Sequence, residues 1–69
     1  MWNHRVVEKD GILGIHEVYY VGGKPTGVTV HPVAISEESI EDLEETILRI
    51  RNCLQEDVLQ YEDILGDLK

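Results

Sequence analysis

Two turn dipeptides placed twelve residues apart, Asp10-Gly11 and Gly22-Gly23, do most to limit what this chain can fold into. Asp-Gly and Gly-Gly supply the positive φ values that tight hairpins require. Each pair stands between runs of strand composition. His4 to Lys9 (His-Arg-Val-Val-Glu-Lys) leads into the first turn. Ile12 to Val21 (Ile-Leu-Gly-Ile-His-Glu-Val-Tyr-Tyr-Val), rich in β-branched and aromatic residues, joins the two turns and reads as a central strand. After Gly22-Gly23 and Lys24-Pro25, the segment Thr26 to Val33 predicts a third strand. Pro32 cannot donate to a ladder, so that strand is an edge or ends there.

The central strand is apolar on both faces. Leu13, Ile15 and Tyr19 point one way, and Ile12, Val18 and Tyr20 point the other. Glu17 interrupts one face and His16 the other, so the pattern leaves open which face is inner. One face can be covered by a helix. A second copy of the chain is the simplest cover for the other.

From residue 36 the apolar period changes. Ile40, Leu43, Ile47, Ile50 and Leu54 are spaced 3, 4, 3 and 4, one stripe of a helix over about 39–54. Ser36 and Ser39 are both N-cap candidates, and Ser39 has Asp42 three residues on. Acids from Glu37 to Glu45 crowd the start, where the helix dipole favours them, and Arg49 and Arg51 come late. Beyond Leu54 the stripe rotates. A break near Gln55–Asp57 is expected, with Asp57 capping a short second helix on Val58, Tyr61, Leu65 and Leu68, fraying from Gly66. The expected architecture is α+β: a single domain over 1–69, with a three-stranded antiparallel meander in 1–35 and an acidic helical half in 36–69.

Size and charge narrow the function. A chain of 69 residues buries only about 60% of its unfolded surface, and a core of that extent supplies roughly 3–5 kcal/mol. The lone Cys53 forms no internal disulfide, and no Cys/His spacing suits zinc. A homodimer is therefore expected. Residues 1–35 carry three acids and three bases, a balance of zero. Residues 36–69 carry eleven acids against three bases, so the whole charge of −8 lies there. Such a surface repels phosphate backbones and attracts a basic protein. No apolar run is long enough for a membrane span, and the polar N-terminus does not read as a signal peptide, so a cytoplasmic protein is expected.

Catalytic signals are sparse, and a non-enzymatic role with no cofactor is expected. His16 and Glu17 are adjacent in a strand and face opposite ways, so they cannot work as a base and its orienting group. His16 and His31 are placed to meet across the hairpin, and a metal-dependent enzyme using them is one alternative. Gly22-Gly23 lacks the context of a phosphate cradle. Cys53 lies one step from the stripe and reads as a structural thiol. Tyr19 and Tyr20, with the acids Glu41, Glu44 and Glu45, are the candidate partner-binding residues.

The order of three strands and a helix, with Val6-Val7-Glu8-Lys9-Asp10-Gly11 in the first hairpin, resembles the N-terminal region of HicB-type antitoxins. The stretch Ser39-Ile40-Glu41-Asp42-Leu43-Glu44-Glu45 is similar to their hydroxyl-capped acidic helix. More narrowly, Ile15-His16-Glu17-Val18-Tyr19-Tyr20 followed by Gly23-Lys24-Pro25 is similar to a strand and turn found in a group of small bacterial proteins. The antitoxin resemblance covers about residues 4–54. It implies a sheet-and-helix module whose partner is a small basic ribonuclease toxin. Two departures stand against it. Tyr19-Tyr20-Val21-Gly22-Gly23-Lys24-Pro25 replaces the family's proline-rich segment, and no DNA-binding module follows, so autoregulation of transcription is not expected of this chain. A self-associating structural or regulatory protein is the other alternative.

Overall fold

Both glycine turns form, and they set the register of the sheet. In the computed structural model, which describes residues 1–66, Asp10 and Gly11 have φ of 53° and 78°, and Gly22 and Gly23 have 59° and 78°. These are two-residue turns with positive φ at both central positions. They join β1 (Trp2–Lys9) to β2 (Ile12–Val21), with Lys9 opposite Ile12, and β2 to β3 (Lys24–Val28), with Val21 opposite Lys24.

The third strand is shorter than its composition predicts. Regular pairing stops at Val28 rather than running to Val33. The next residues still track β2: the Thr29 N–H donates to the Glu17 carbonyl at 3.0 Å and the Val33 N–H to the Ile15 carbonyl at 2.8 Å. Between them the ladder lapses before Pro32, which has no proton to give. A bulge also displaces β3, which spends one extra residue between the Tyr19–Gly27 and Tyr20–Pro25 pairs.

The expected meander is one strand short of the sheet that forms. A fourth strand, β4 (Leu59–Gln60), pairs parallel to β1 at Val7 and Glu8, giving the order β3-β2-β1-β4. It follows helix α1 (Ile40–Cys53) and leads directly into α2 (Tyr61–Gly66). The helical half therefore breaks near Gln55–Asp57 as expected, but Asp57 stands four residues before α2 and is not its N-cap. The segment it opens reaches the sheet edge before α2 begins at Tyr61. Leu68, expected on the second helix, lies outside the described residues.

Ser39 is the N-cap of α1. Its hydroxyl accepts from the Asp42 N–H at 3.1 Å, and Glu41 and Asp42 occupy the first turn. The helix is rolled away from the predicted stripe. Thr46, Ile50 and Cys53 are buried and Leu43 is half-buried, whereas Ile40 (78%), Ile47 (47%) and Leu54 (62%) are exposed. Leu43 and Ile50 belong to both stripes. The small side chains of Thr46 and Cys53 let the helix approach the sheet on their side.

The two helices cover opposite faces. Val7 and Val18, both fully buried, pack with Tyr61 and Ile64 of α2. Val6 packs with Ile50 and Cys53 of α1, with Ile15 against them. Adjacent valines in β1 thus serve different cores, which is why β1 and β2 are apolar on both sides. The face for which a second copy was the expected cover is closed in part by α2 of the same chain. Each fully buried valine is worth about 1.5–3 kcal/mol.

Candidate interaction surfaces

The candidate residues fall on three separate places. Tyr19 is exposed on the α1 face of β2, where its hydroxyl donates to the Glu17 carboxylate at 3.1 Å. That hydrogen bond, with some burial and the repulsion of the same carboxylate, raises the Tyr19 phenol above its ordinary pKa. Tyr20 points to the opposite face and is half-buried. Its hydroxyl donates to Asn3 Oδ1 at 2.8 Å and accepts from Arg5 Nη1 at 3.4 Å. The two tyrosines therefore do not form one surface. Glu41, Glu44 and Glu45 are all exposed on α1.

Their helix presents more than charge. Ile40, Ile47 and Leu54 recur at seven-residue intervals, so they form a line along one exposed side of α1, with Leu48 also half-exposed. Exposed apolar residues also remain on the α1 face of the sheet, at Leu13, Tyr19 and Val21. Isolated exposed apolar residues need no explanation, but a line of them on an acidic helix is a feature of docking helices.

The histidines share a place without forming a ligand set. His16 is buried, with Nδ1 donating to the Thr29 carbonyl at 2.9 Å and its ring 6.4 Å from that of Tyr61. His31 is exposed and borders the same cleft of about 190 Å³, which Lys9, Asp10, Gly14 and Pro32 complete. Gly14 makes room there: a Cβ on it would stand 3.1 Å from Pro32 Cγ and 3.3 Å from His16 Nε2. Lys9 is engaged as well, its Nζ donating to the Val30 carbonyl at 2.8 Å and lying 4.6 Å from the Tyr61 ring centre. Among the described residues no three His, Cys, Asp or Glu side chains gather at metal-ligand reach. His16 and Glu17 diverge as the strand alternation requires, with Glu17 turned to Tyr19.

Cys53 is buried between α1 and β1. Burial raises its thiol pKa, and the Arg5 charge offsets part of that. Arg5 itself ties the α1–β4 segment down, with Nη2 donating to the Asp57 carbonyl at 2.7 Å. Its Nε is buried without a partner.

Sequence reasoning did not find a cleft of about 430 Å³ between the start of β1 and the end of α1, bordered by Trp2, Asn3, His4, Arg49 and Asn52. Trp2 and His4 alternate on one face of β1 and Arg49 and Asn52 are three apart on α1. The two signals lie more than forty residues apart and join only in the fold.

No protein-family model, curated protein or solved structure matches this chain. The described helices are not long and apolar enough to cross a membrane. The α+β class, a four-stranded mixed sheet with a helix on each face, is the firm result of the geometry.

Proposed function

We infer that this chain is a non-enzymatic protein-interaction module whose helix α1 receives a basic partner. The carrying observation is the exposed line of Ile40, Ile47 and Leu54 on the helix that also exposes Glu41, Glu44 and Glu45. The apolar line supplies contact area, and the acids steer a cationic partner and select against an anionic one. The imbalance of eleven acids to three bases in residues 36–69 extends the field beyond those three residues. The strand–strand–strand–helix order and the Ser39 cap support the HicB-like reading, in which the partner is a small basic toxin and the setting is the cytoplasm.

A second reading, self-association, is favoured by Leu13, Tyr19 and Val21 on the uncovered part of the α1 face. They belong to the half without net charge, where two copies do not repel.

Affinity capture from the native host with the full chain, followed by mass spectrometry, tests the first reading. A small basic protein should be retained at low salt and released as salt rises. A chain with Glu41, Glu44 and Glu45 all changed to Gln should retain much less of it. Retention indifferent to salt and to those changes would remove the acidic-helix mechanism. Sedimentation at micromolar concentration tests the second, which a clean monomer mass would end.

A further inference from the structure

Ahead of β4, β1 leaves a stretch of its edge without a strand partner among the described residues, and that stretch adjoins the cleft between β1 and α1. Strand β4 pairs with β1 only at Val7 and Glu8. The Tyr20 N–H donates to the Met1 carbonyl at 2.8 Å, which makes Met1 and Tyr20 a hydrogen-bonded pair in the β1–β2 register. Antiparallel pairs alternate, so Asn3, Arg5 and Val7 turn their main-chain groups toward β2. Trp2 and His4 turn theirs outward, as does Val6 with its N–H, ahead of the point where β4 begins. An edge of this kind is a template for another strand.

The cleft beside it differs from the rest of the molecule in charge. None of its five bordering residues is acidic, in a chain with 14 acids and 6 bases. Arg49 faces it without a carboxylate. Glu45 stands four residues before Arg49, the spacing at which helical ion pairs form. The guanidinium nonetheless donates through Nη2 to Thr46 Oγ1 at 3.2 Å and makes no ion pair among the described residues. Asn52 adds an amide from the same helix. Trp2 and His4 add two rings packed edge to face at 5.3 Å. A volume of about 430 Å³, at the small end of the range for ligand clefts, is enough for one or two side chains of a peptide.

We propose that the open β1 edge at Trp2–Val6 and the Arg49 cleft together bind an extended peptide segment that carries a carboxylate. The peptide main chain joins β1 beyond the end of β4, exchanging hydrogen bonds with Trp2 and His4. Its carboxylate enters the cleft and takes two hydrogen bonds from the Arg49 guanidinium, while Trp2 and His4 flank the neighbouring residue. Main-chain pairing gives affinity without sequence preference, and the cleft gives the requirement for an acid. The site is separate from the outward line of Ile40, Ile47 and Leu54, so it stands whether or not α1 takes a basic partner. A second copy suits the edge less well. Two β1 strands pairing about a twofold axis have only Trp2–Val6 free on each, because β4 occupies the rest.

Panning a phage library of random octapeptides against the immobilised full chain tests the proposal. Enriched sequences should alternate β-branched residues and share one Asp or Glu. A synthetic peptide of the enriched sequence should bind wild type and lose about tenfold or more in affinity against Arg49→Gln, whereas Arg51→Gln should bind as wild type does. The amides of Trp2, His4 and Val6 should exchange several-fold more slowly with the peptide than without it. His4→Pro removes an outward donor while sparing the β1–β2 ladder, and should weaken binding in a protein whose circular dichroism is unchanged. No enrichment above background, enrichment of basic peptides only, or binding indifferent to Arg49→Gln would overturn it. So would amides at Trp2 and His4 already protected in a self-associated protein without peptide.

Discussion

His16 Nδ1 donates to the Thr29 main-chain oxygen across 2.9 Å, and this bond fastens the segment after β3 to the central strand where the regular ladder has ended. With its N–H spent on a carbonyl, the imidazole acts as a cross-strand tie inside the α2 core. His16→Ala should therefore cost about 2–4 kcal/mol, the sum of lost packing and a carbonyl left unmet. Urea unfolding measures it, and a loss below about 0.5 kcal/mol would show that the tie does not hold the segment.

Gly14 and Gly27 should respond differently to the same change. A methyl group at Gly14 meets Pro32 at 3.1 Å and His16 at 3.3 Å, and the buried histidine cannot retreat, so Gly14→Ala should destabilise by about 1–3 kcal/mol. At Gly27 the nearest atoms, in the Tyr19 side chain, lie at 3.6 and 3.7 Å. Gly27→Ala should be neutral or stabilise by up to about 1 kcal/mol. Thermal unfolding of the two variants side by side checks the ordering.

The roll of α1 makes a third contrast. Ile50→Ala, inside the α1 core, should cost about 2–4 kcal/mol. Ile40→Ser and Leu54→Ser, on the exposed line, should change monomer stability by no more than about 0.5 kcal/mol. If all three cost alike, the helix sits on the stripe its periodicity predicts.

Cys53 gives a pH dependence of definite sign. Its folded-state pKa is raised by burial, so the unfolded chain loses the thiol proton first as pH rises. The folded state then holds more protons than the unfolded one, and stability falls through the ordinary thiol range near about 8.5. Urea midpoints between neutral and alkaline pH should decline in wild type and flatten in Cys53→Ala. Iodoacetamide should label the folded protein more slowly than the denatured chain at the same pH. Tyr19, also raised, adds a decline of the same sign at higher pH that Tyr19→Phe removes.

What the sequence revealed was local. Asp10-Gly11, Gly22-Gly23 and the Ser39–Asp42 cap each act within four residues and all three form, although Lys24 and Pro25, read as part of the second loop, already pair within β3. The break between α1 and α2 was legible because acids interrupt an apolar period. The strand β4 was not, since Leu59-Gln60 is too short to show a period and is defined by its partner Val7. Pairing of β3 was overread because Thr29 and Val30 have strand composition, which does not mark where a ladder ends. The stripe of α1 was misplaced by one helical edge because Thr46 and Cys53 are only weakly apolar, and closeness of approach decided the packing. Tyr19 and Tyr20 were legible as residents of opposite faces from strand alternation alone, and they sit so, with Tyr19 on Glu17 and Tyr20 on Asn3. The Arg49 cleft needed two elements brought together by tertiary structure.

The parallel contact of β4 with β1 also dictates an order of assembly. Both hairpins close over two-residue turns and can form in about 1–10 μs, but Leu59 must find Val7 across the whole of α1. That closure bears the largest loop entropy in the chain and is rewarded by only two residue pairs until α2 docks behind it. The β4–α2 unit therefore consolidates late. Lesions in Leu59 or Ile64 should then speed unfolding far more than they slow refolding, so the lifetime of the folded molecule is set by the segment from Leu59 to Gly66.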